Sequence, residues 1–161
     1  MTVDEYNQCV EEFSDGVYRF ILKNIKDEDK AKDTVQDSFE KMWVRAKDIS
    51  FEKAKSYLFT TAYHTMIDTI RKDSKQSLLE PAHENVLTCS NHYSDLKEVL
   101  DEAVEKLPEV QRSVLLLRDY EGYSYDEIGE ITSLNESQVK VYIFRARTFL
   151  KNYIGSLETV I

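Results

Sequence analysis

The sequence predicts an all-α fold, and three of its features support that prediction. The 161 residues include only four glycines and two prolines, so residues that interrupt regular structure are scarce. Glu, Lys and Leu, which favour helices, are abundant. Apolar residues recur three and four positions apart, as they do along the buried face of an amphipathic helix. With 42% hydrophobic and 32% charged residues, the chain has enough apolar material for two small helical modules.

Three helices are predicted in a first module that spans residues 8–72. The first helix leads to a junction near residues 26–29, and a second helix follows it. A polar loop at 48–53 precedes the third helix, which is predicted over 54–71. The buried stripes are Val17, Phe20, Ile21 and Ile25 in the first helix, Ala31, Val35, Phe39, Met42 and Trp43 in the second, and Leu58, Ala62, Met66 and Ile70 in the third.

Residues 73–95 have the composition of a linker. The segment is rich in Ser and Asn, contains Pro81 and lacks a sustained apolar period. A second module is predicted over residues 96–154, and it begins with a helix at 96–106. Pro108 is then expected in the first turn of the next helix, where its missing N–H breaks no hydrogen bond.

The last third of the chain has the pattern of a helix-turn-helix. Ser124 and Glu127 form a capping box that starts a short helix. Asn135 and Gln138 repeat that pattern at the start of a longer helix. The buried stripe of the longer helix is Val139, Ile143, Ala146 and Leu150. A helix, a tight turn and a longer basic helix are typical of a protein that reads DNA in the major groove.

Charge is distributed unevenly along the chain. The net charge is −9, which opposes indiscriminate binding to DNA phosphates. Residues 137–151 nevertheless carry Lys140, Arg145, Arg147 and Lys151 and no acid, whereas residues 95–109 carry six acids against two lysines. DNA binding is therefore expected to depend on a partner that supplies further contacts.

Several other classes of protein lack support in the sequence. No apolar run approaches the ~20 residues that cross a bilayer, and the N-terminus is acidic, so we expect a cytoplasmic protein without membrane insertion. Cys9 and Cys89 lie far apart with no Cys or His cluster beside them, which favours reduced thiols over a metal site. His64 and Asp68 share a helical face, but a third metal ligand is not apparent. Without a phosphate-binding glycine loop or a nucleophile motif, we expect neither an enzyme nor a cofactor.

Segments of both modules resemble bacterial sigma factors. VEKLPEVQRSVLLLR at 104–118, DYEGYSYDEIGEI at 119–131 and SQVKVYIFRARTFLK at 137–151 resemble region 4 of that family. VYRFILK at 17–23 and DKAKDTVQDSFEKMW at 29–43 resemble regions 2.1 and 2.2. The resemblance covers roughly residues 10–72 and 97–153, and a short chain with only these two regions is similar to the extracytoplasmic-function group.

The resemblance implies a protein that binds core RNA polymerase and directs initiation at promoter DNA. Region 2 of that family binds the polymerase clamp and melts the −10 element, and region 4 binds the −35 element. The residues that match the clamp contact are Asp33, Gln36, Asp37 and Phe39. Those expected at the −10 element offer rings for unstacked bases and cations for the backbone, and they are Lys53, Lys55, Tyr57, Tyr63, His64, Arg71 and Lys72. Those expected at the −35 element are Arg118, Gln138, Lys140, Val141, Phe144 and Arg145. An anti-sigma factor is a further partner that the resemblance implies.

The sequence departs from the family pattern at positions that bear on DNA preference. Val141 and Tyr142 stand where relatives often have Ser and Arg, and Val141 can pack on a thymine methyl group. Thr60 and His64 stand where relatives often have Arg and Asn. Ser133 replaces a glycine of the turn, at a cost of about 1 kcal/mol if its backbone is left-handed. We therefore expect the preferred promoter sequence to differ from that of relatives.

Two questions remain open on the sequence alone. A helix-turn-helix regulator that binds an operator as a dimer would show the same second module, but it would footprint DNA without polymerase. The aromatic residues of the first module fit a buried core as well as they fit a contact surface, and they are Phe39, Trp43, Tyr57 and Phe59.

Overall fold

The computed structural model describes residues 1–77 and 96–158, and over these residues it contains helices and no strand. The all-α prediction is confirmed. The first module holds α1 (Val3–Ile25), α2 (Glu28–Val44) and α3 (Ala54–Ser77), and the second holds α4 (Leu96–Glu105), α5 (Glu109–Leu115), α6 (Tyr125–Thr132) and α7 (Glu136–Glu158). A short 3-10 turn, Phe51–Lys53, leads into α3, and a π-helical turn, Leu116–Tyr120, continues α5.

Local hydrogen bonds fix the ends of α1 and α2. Thr2 and Glu5 form a capping box, so α1 begins at Val3, before the predicted module boundary at residue 8. Lys26 ends α1 in a left-handed conformation, and Asp27 caps α2 by accepting a hydrogen bond from the N–H of residue 30 at 3.1 Å. The three helices then pack around a shared core that includes Ile21, Met42, Leu58 and Met66.

The third helix is longer than the sequence predicted. It continues to Ser77, so the first residues of the predicted linker, 73–77, form its C-terminal turn. Lys30 on α2 donates a hydrogen bond to the Asp73 carboxylate at 2.7 Å, which holds that turn against the module and raises the pKa of the lysine. The rest of the predicted linker, with Cys89, lies outside the described residues, whereas Cys9 is a buried free thiol.

The second module is built on the packing of α7 across α4 and α5. Pro108 lies immediately before α5 rather than in its first turn, and Leu107 beside it is buried. Leu115 and Leu117 complete the core under α7. Near the C-terminal end of α7, the Tyr153 hydroxyl donates a hydrogen bond to Glu102 on α4 at 3.3 Å.

The two modules lie against each other. The third helix packs on α6, and α1 lies beside α5. Tyr123, in the turn before α6, places its ring next to Phe59 of α3, with the ring centroids 5.3 Å apart. The sequence predicted both modules but no contact between them, because the residues that meet at this interface are distant in the chain.

Candidate nucleic-acid interface and partner groove

A tight turn between α6 and α7 sets the angle of the second helix of the helix-turn-helix. Ser133 has a left-handed backbone, with φ 62°, as the glycine of relatives at this position suggested. The N–H groups of Ser133 and Leu134 both donate to the carbonyl of Gly129. A Cβ on Gly129 would lie 2.8 Å from the Leu134 carbonyl oxygen, so glycine is what allows α6 and the turn to approach this closely.

Side-chain caps fix the first turn of both helices. The Glu127 N–H donates to Ser124 Oγ at 3.2 Å. At α7 the Gln138 N–H donates to Asn135 Oδ1 at 2.8 Å, and the Asn135 N–H donates to Gln138 Oε1 at 3.0 Å. Because the cap uses the oxygen of the Gln138 side chain, its NH₂ group is the part that can donate to a bound partner.

The exposed face of α7 combines apolar side chains with a free cation. Phe144 is 71% exposed and Val141, one turn earlier, is 44% exposed. Within the part of the chain that the structure describes, Arg145 has no hydrogen bond or ion pair, whereas Lys140 pairs with Glu136 at 3.2 Å. Tyr142 packs against the module core, so the two unusual residues of this helix lie on different sides of it.

Two other arginines near α7 are engaged within the module. Arg118 donates to the Tyr123 carbonyl at 2.9 Å, and its guanidinium lies 4.7 Å from the centre of the Tyr125 ring. Arg147 donates through Nε to the Asp119 carboxylate at 3.2 Å, and this hydrogen bond raises the pKa of the arginine. Arg118, one of the predicted −35 residues, therefore braces the turn before α6 in this arrangement.

The predicted −10 residues occupy three kinds of position. The exposed ones are Lys53, His64, Arg71 and Lys72. Tyr57 is half-buried and lines, with His64, a cleft of about 420 Å³ between α2 and α3. Lys55 lies 4.8 Å from the centre of the Tyr123 ring in the second module. Tyr63 is 7% exposed, and burial, with a contribution from the charge of Glu109, raises its pKa.

The cleft between α2 and α3 also contains residues that the sequence reasoning did not select. Lys41 in the last turn of α2 and Arg45 directly after that helix line it together with Thr60, Thr61 and Thr65. Lys41 donates a hydrogen bond to Thr65 Oγ1 at 3.2 Å. Two cations at helical spacing, directly before a predicted polar loop, were the signal that could have identified them. They place positive charge beside Tyr57 and His64, while Asp37 pairs with Lys41 at 3.0 Å and the Asp68 carboxylate also lines the cleft.

A second cleft, of about 450 Å³, lies between α1 and α2. Two of the predicted polymerase-contact residues, Gln36 and Phe39, line it together with Tyr6, Val10, Tyr18 and Val35. The Phe39 ring is largely buried and forms the floor of the cleft, and its carbonyl accepts a hydrogen bond from the Tyr6 hydroxyl at 2.9 Å. Asp33 is exposed on the same helix, and Asp37 pairs with Lys41 at 3.0 Å.

Trp43 lies on the surface, although the apolar spacing of α2 predicted it in the core stripe. Its side chain is 51% exposed, and its ring centroid lies 4.9 Å from that of Tyr6. Val44 beside it is also exposed. The buried stripe of α2 therefore ends at Met42, and the aromatic pair of Tyr6 and Trp43 borders the cleft between α1 and α2.

Within residues 1–77 and 96–158 there is no cluster of three or more His, Cys, Asp or Glu side chains arranged to hold a metal ion. Nor does any helix in these two ranges have the length and apolar character needed to cross a membrane.

Comparison with known proteins gives a match for each module. The family model Sigma-70 region 2 matches residues 9–76, and Sigma-70, region 4 matches residues 97–150. The ECF RNA polymerase sigma factor SigM of Bacillus subtilis is 31% identical over 156 residues, which cover 94% of this chain and 94% of the relative. The RNA polymerase sigma factor SigV of Bacillus subtilis is 29% identical, over 89% of this chain and 87% of the relative.

The fold is also similar to a solved structure. The sigma factor RpoE, in complex with the anti-sigma factor NepR from Bartonella quintana, matches with a TM-score of 0.80 over 95% of this chain and 98% of that chain. The two sequences are 23% identical, and the likeness is one of fold.

Proposed function

This chain belongs to the sigma-70 family of RNA polymerase sigma factors and to its ECF group, and we propose that three of its surfaces each carry out one step of promoter recognition. These surfaces are the exposed face of α7, the cleft between α2 and α3, and the cleft between α1 and α2. The protein binds core RNA polymerase and directs promoter-specific transcription initiation. A stand-alone helix-turn-helix regulator is not favoured, because the similarity extends through both modules and over nearly the full length of SigM.

The first assignment is that α7 reads the −35 element through Gln138, Lys140, Val141, Phe144 and Arg145, which we call the −35 face. The observation that carries it is the exposure of apolar side chains and a free arginine on a capped helix. Arginine can bond the O6 and N7 atoms of guanine, and exposed apolar groups can pack on thymine methyls. Arg118, which is held by Tyr123, supports this face by fixing the turn.

Transcription in vitro with core polymerase, over a genomic fragment library with mapped start sites, tests this assignment. Arg145→Ala combined with Lys140→Ala should abolish −35-dependent initiation and leave core binding intact. Lys151→Ala is the matched control, since it removes an exposed cation from the same helix beyond the −35 face. Unchanged promoter selectivity in the double variant would contradict the assignment.

Replacing thymidine by deoxyuridine in the −35 element tests the apolar part of the −35 face alone. The substitution removes one methyl group, whose burial is worth about 0.8 kcal/mol, so initiation at subsaturating protein should fall about threefold to fourfold where Val141 or Phe144 packs. The effect should disappear in a Val141→Ala, Phe144→Ala variant. If no thymine position is sensitive, these two side chains do not read methyl groups.

The second assignment is that the cleft between α2 and α3 receives unstacked bases of the −10 element, and we call it the −10 cleft. Tyr57 and His64 offer stacking surfaces, and Lys41 and Arg45 offer charge for the backbone. Lys53, Arg71 and Lys72, which are exposed nearby on α3 and the turn before it, extend this charge. Lys55 and Tyr63 belong to the same proposed set, although Lys55 lies against the Tyr123 ring of the second module and Tyr63 is buried.

A pre-melted promoter separates base capture from strand opening at the −10 cleft. A His64→Ala, Tyr57→Ala variant should be impaired on duplex and on pre-melted templates alike, because both need the bases to be held. Lys151→Ala, which removes an exposed cation from α7 outside the −10 cleft, serves as the control. Full activity of the double variant on the pre-melted template would mean that these residues act in melting and not in base capture.

The third assignment is that the cleft between α1 and α2 receives the polymerase clamp, and we call it the clamp groove. Its lining is largely apolar, and Gln36 in the lining and Asp33, exposed on the same helix, offer hydrogen-bonding groups to the partner. Asp33→Asn with Gln36→Ala should weaken binding to core polymerase, measured by fluorescence anisotropy, by about tenfold or more. Glu130→Gln, an exposed carboxylate of the second module, is the control. Unchanged affinity for the core would contradict the clamp assignment.

We further propose that the protein acts in the cytoplasm through binding energy alone, while the polymerase carries out the chemistry. Its relative RpoE was solved with the anti-sigma factor NepR, which supports an anti-sigma factor as a partner of this chain too. Affinity capture with the full chain, followed by competition between the captured protein and core polymerase, tests that partner. A captured protein that binds together with core would not be an inhibitor of this kind.

A further inference from the structure

We propose that Glu136 is a specificity-determining residue, and that Glu136 and Lys140 together recognise one C·G base pair of the −35 element. Glu136 is the first residue of α7, and it directly precedes the segment 137–151 that carries no acid. The inference rests on the proposed function of the −35 face, because it extends that assignment to the chemistry of a single base pair.

Glu136 and Lys140 form an ion pair at the start of α7. Glu136 Oε1 and Lys140 Nζ lie 3.2 Å apart, and each side chain is 55% exposed. In a helix-turn-helix, the N-terminal residues of the second helix are the ones that contact base edges in the major groove. The ion pair therefore places a hydrogen-bond acceptor and a hydrogen-bond donor side by side at the end of the helix that meets the bases.

Neighbouring groups restrict the positions of both side chains. Lys140 Nζ lies 5.7 Å from the centre of the Tyr125 ring on α6, so the ammonium group has an aromatic ring and a carboxylate beside it. The hydrogen bonds between Asn135 and Gln138 fix the backbone of the turn to which Glu136 belongs. Because the ion pair is already placed on the helix, less side-chain freedom is lost when it meets a base pair.

The edge of a C·G base pair complements this ion pair. In the major groove, cytosine presents its N4 amino group as a donor, and guanine presents O6 and N7 as acceptors. Because N4 and O6 are hydrogen-bonded to each other within the base pair, they lie about 2.9 Å apart. The protein groups are separated by a similar distance, 3.2 Å. The Glu136 carboxylate can therefore accept a hydrogen bond from N4 while the Lys140 ammonium group donates to guanine.

The other base pairs fit the ion pair less well. In an A·T pair, the adenine N6 donor lies between two acceptors, adenine N7 and thymine O4, so a carboxylate at N6 faces an acceptor on each side. A G·C pair presents the groups of C·G in the opposite order. Glu136 also brings a negative charge close to DNA phosphates, which opposes binding wherever its own contact is not made. The carboxylate therefore contributes to specificity chiefly by rejecting the wrong base pairs.

A promoter library in which every −35 position carries each of the four base pairs tests the proposal. With core polymerase, the wild type should prefer C·G in one orientation at one position. Glu136→Gln should lower the ratio of initiation at C·G to initiation at T·A there by about fivefold or more. Because glutamine can form two hydrogen bonds with adenine N6 and N7, adenine should gain where cytosine was preferred. The profile at positions away from this base pair should stay as in the wild type.

Methylation of the cytosine amino group tests the contacting atoms directly. In a duplex, N4-methylcytosine uses one amino hydrogen to pair with guanine, and the methyl group takes the place of the hydrogen that faces the major groove. At the preferred position, this base should lower initiation by the wild type by about fivefold or more, since the carboxylate loses its donor. Glu136→Ala has no carboxylate at this site, so its initiation should be insensitive to the methyl group.

Glu28→Gln is the matched control for the loss of a carboxylate. Glu28 is the exposed first residue of α2, as Glu136 is the exposed first residue of α7, but it belongs to the first module. Its replacement removes the same charge from the same place in a helix, so it should leave the −35 profile unchanged. Circular dichroism verifies that every variant is folded.

The outcomes separate this base-pair contact from the function on which it rests. An ion pair between residues four apart also stabilises a helix without DNA, and that role would change initiation by the same factor at every base pair. Such a uniform change in Glu136→Gln refutes the proposal, as does unchanged selectivity or a wild type that prefers no C·G pair. If initiation by the wild type does not depend on the −35 element at all, the proposed function of the −35 face fails, whatever the variant does.

Discussion

Replacing Gly129 by alanine is expected to damage the helix-turn-helix selectively. The new Cβ would stand 2.8 Å from the carbonyl oxygen of Leu134, in the turn that sets the angle of α7. That oxygen belongs to the backbone, so it cannot rotate away as the end of a flexible side chain would. The contact could be relieved only if α6 and the turn moved apart by a few tenths of an ångström, which would also disturb the hydrogen bond from Leu134 N–H to the Gly129 carbonyl.

Two opposing effects set the size of the change. Alanine in place of glycine inside a helix stabilises by about 1 kcal/mol. Forcing an extra methyl group into close packing costs about 1–3 kcal/mol, and a clash with backbone belongs in the upper part of that range. We therefore expect a net loss of about 1–2 kcal/mol in the free energy of unfolding.

Gly155 in α7 offers a matched control, because a Cβ there meets no atom of the described residues within 4 Å. Gly155→Ala should stabilise the protein by up to about 1 kcal/mol, from helix propensity alone. Urea denaturation followed by circular dichroism should place the two variants on opposite sides of the wild type. Gly129→Ala should also lose −35-dependent initiation while it still binds core polymerase. Equal stabilisation by both substitutions would refute the close contact and the turn geometry derived from it.

Three further predictions concern single side chains. Ser133→Gly should stabilise the protein by up to about 1 kcal/mol in urea denaturation, because its φ of 62° suits glycine better; destabilisation would contradict a left-handed turn. Asn24→Ala should lower the free energy of unfolding by about 2–3 kcal/mol, because it leaves Arg112 Nε without its acceptor. A loss below about 0.5 kcal/mol in the same assay would show that this hydrogen bond is dispensable. Burial, with contributions from Glu127 and Glu121, raises the pKa of Tyr123, so the folded protein binds this proton more tightly than the unfolded chain. The contribution of this group to the free energy of unfolding is therefore fully present below about pH 10 and is lost as the pH rises further. In thermal melts between about pH 9 and 11, Tyr123→Phe should lose less stability than the wild type, and coincident pH profiles would contradict this.

The helix starts of the helix-turn-helix could be predicted from the sequence, because they depend on local hydrogen bonds. Capping residues act within one turn of the chain, so the pairs at Ser124 and Asn135 predicted helix starts that the structure has. The left-handed backbone at Ser133 was suggested by the glycine that relatives have at this position of the turn. Helix ends that depend on contacts between distant residues could not be predicted in this way. An example is α3, which extends beyond the predicted residue 71, where Asp73 pairs with Lys30 of α2.

Periodicity identified which helices form but not every side chain at their surfaces. Trp43 follows Met42 in the chain and fits the apolar stripe by type, yet α2 is in its last turn there and the ring lies outside the core. On α7, Val141 and Tyr142 are adjacent in the chain, so a helix directs them to different sides, and only Val141 is on the −35 face. The roles in DNA and polymerase binding remain predictions, because they concern partners whose contacts the sequence of this chain does not contain.

Part of the acidic charge of the second module pairs with cations of the first module, which neither the net charge nor the basic helix indicated. The acids between residues 95 and 109 include Asp101 and Glu105, and these face Lys23 and Lys26 of α1. The charge of those lysines is compensated within the protein, because each has an acid of the second module beside it. The acidic stretch therefore has a role inside the protein, where it compensates cations of the first module, besides opposing indiscriminate binding to DNA phosphates.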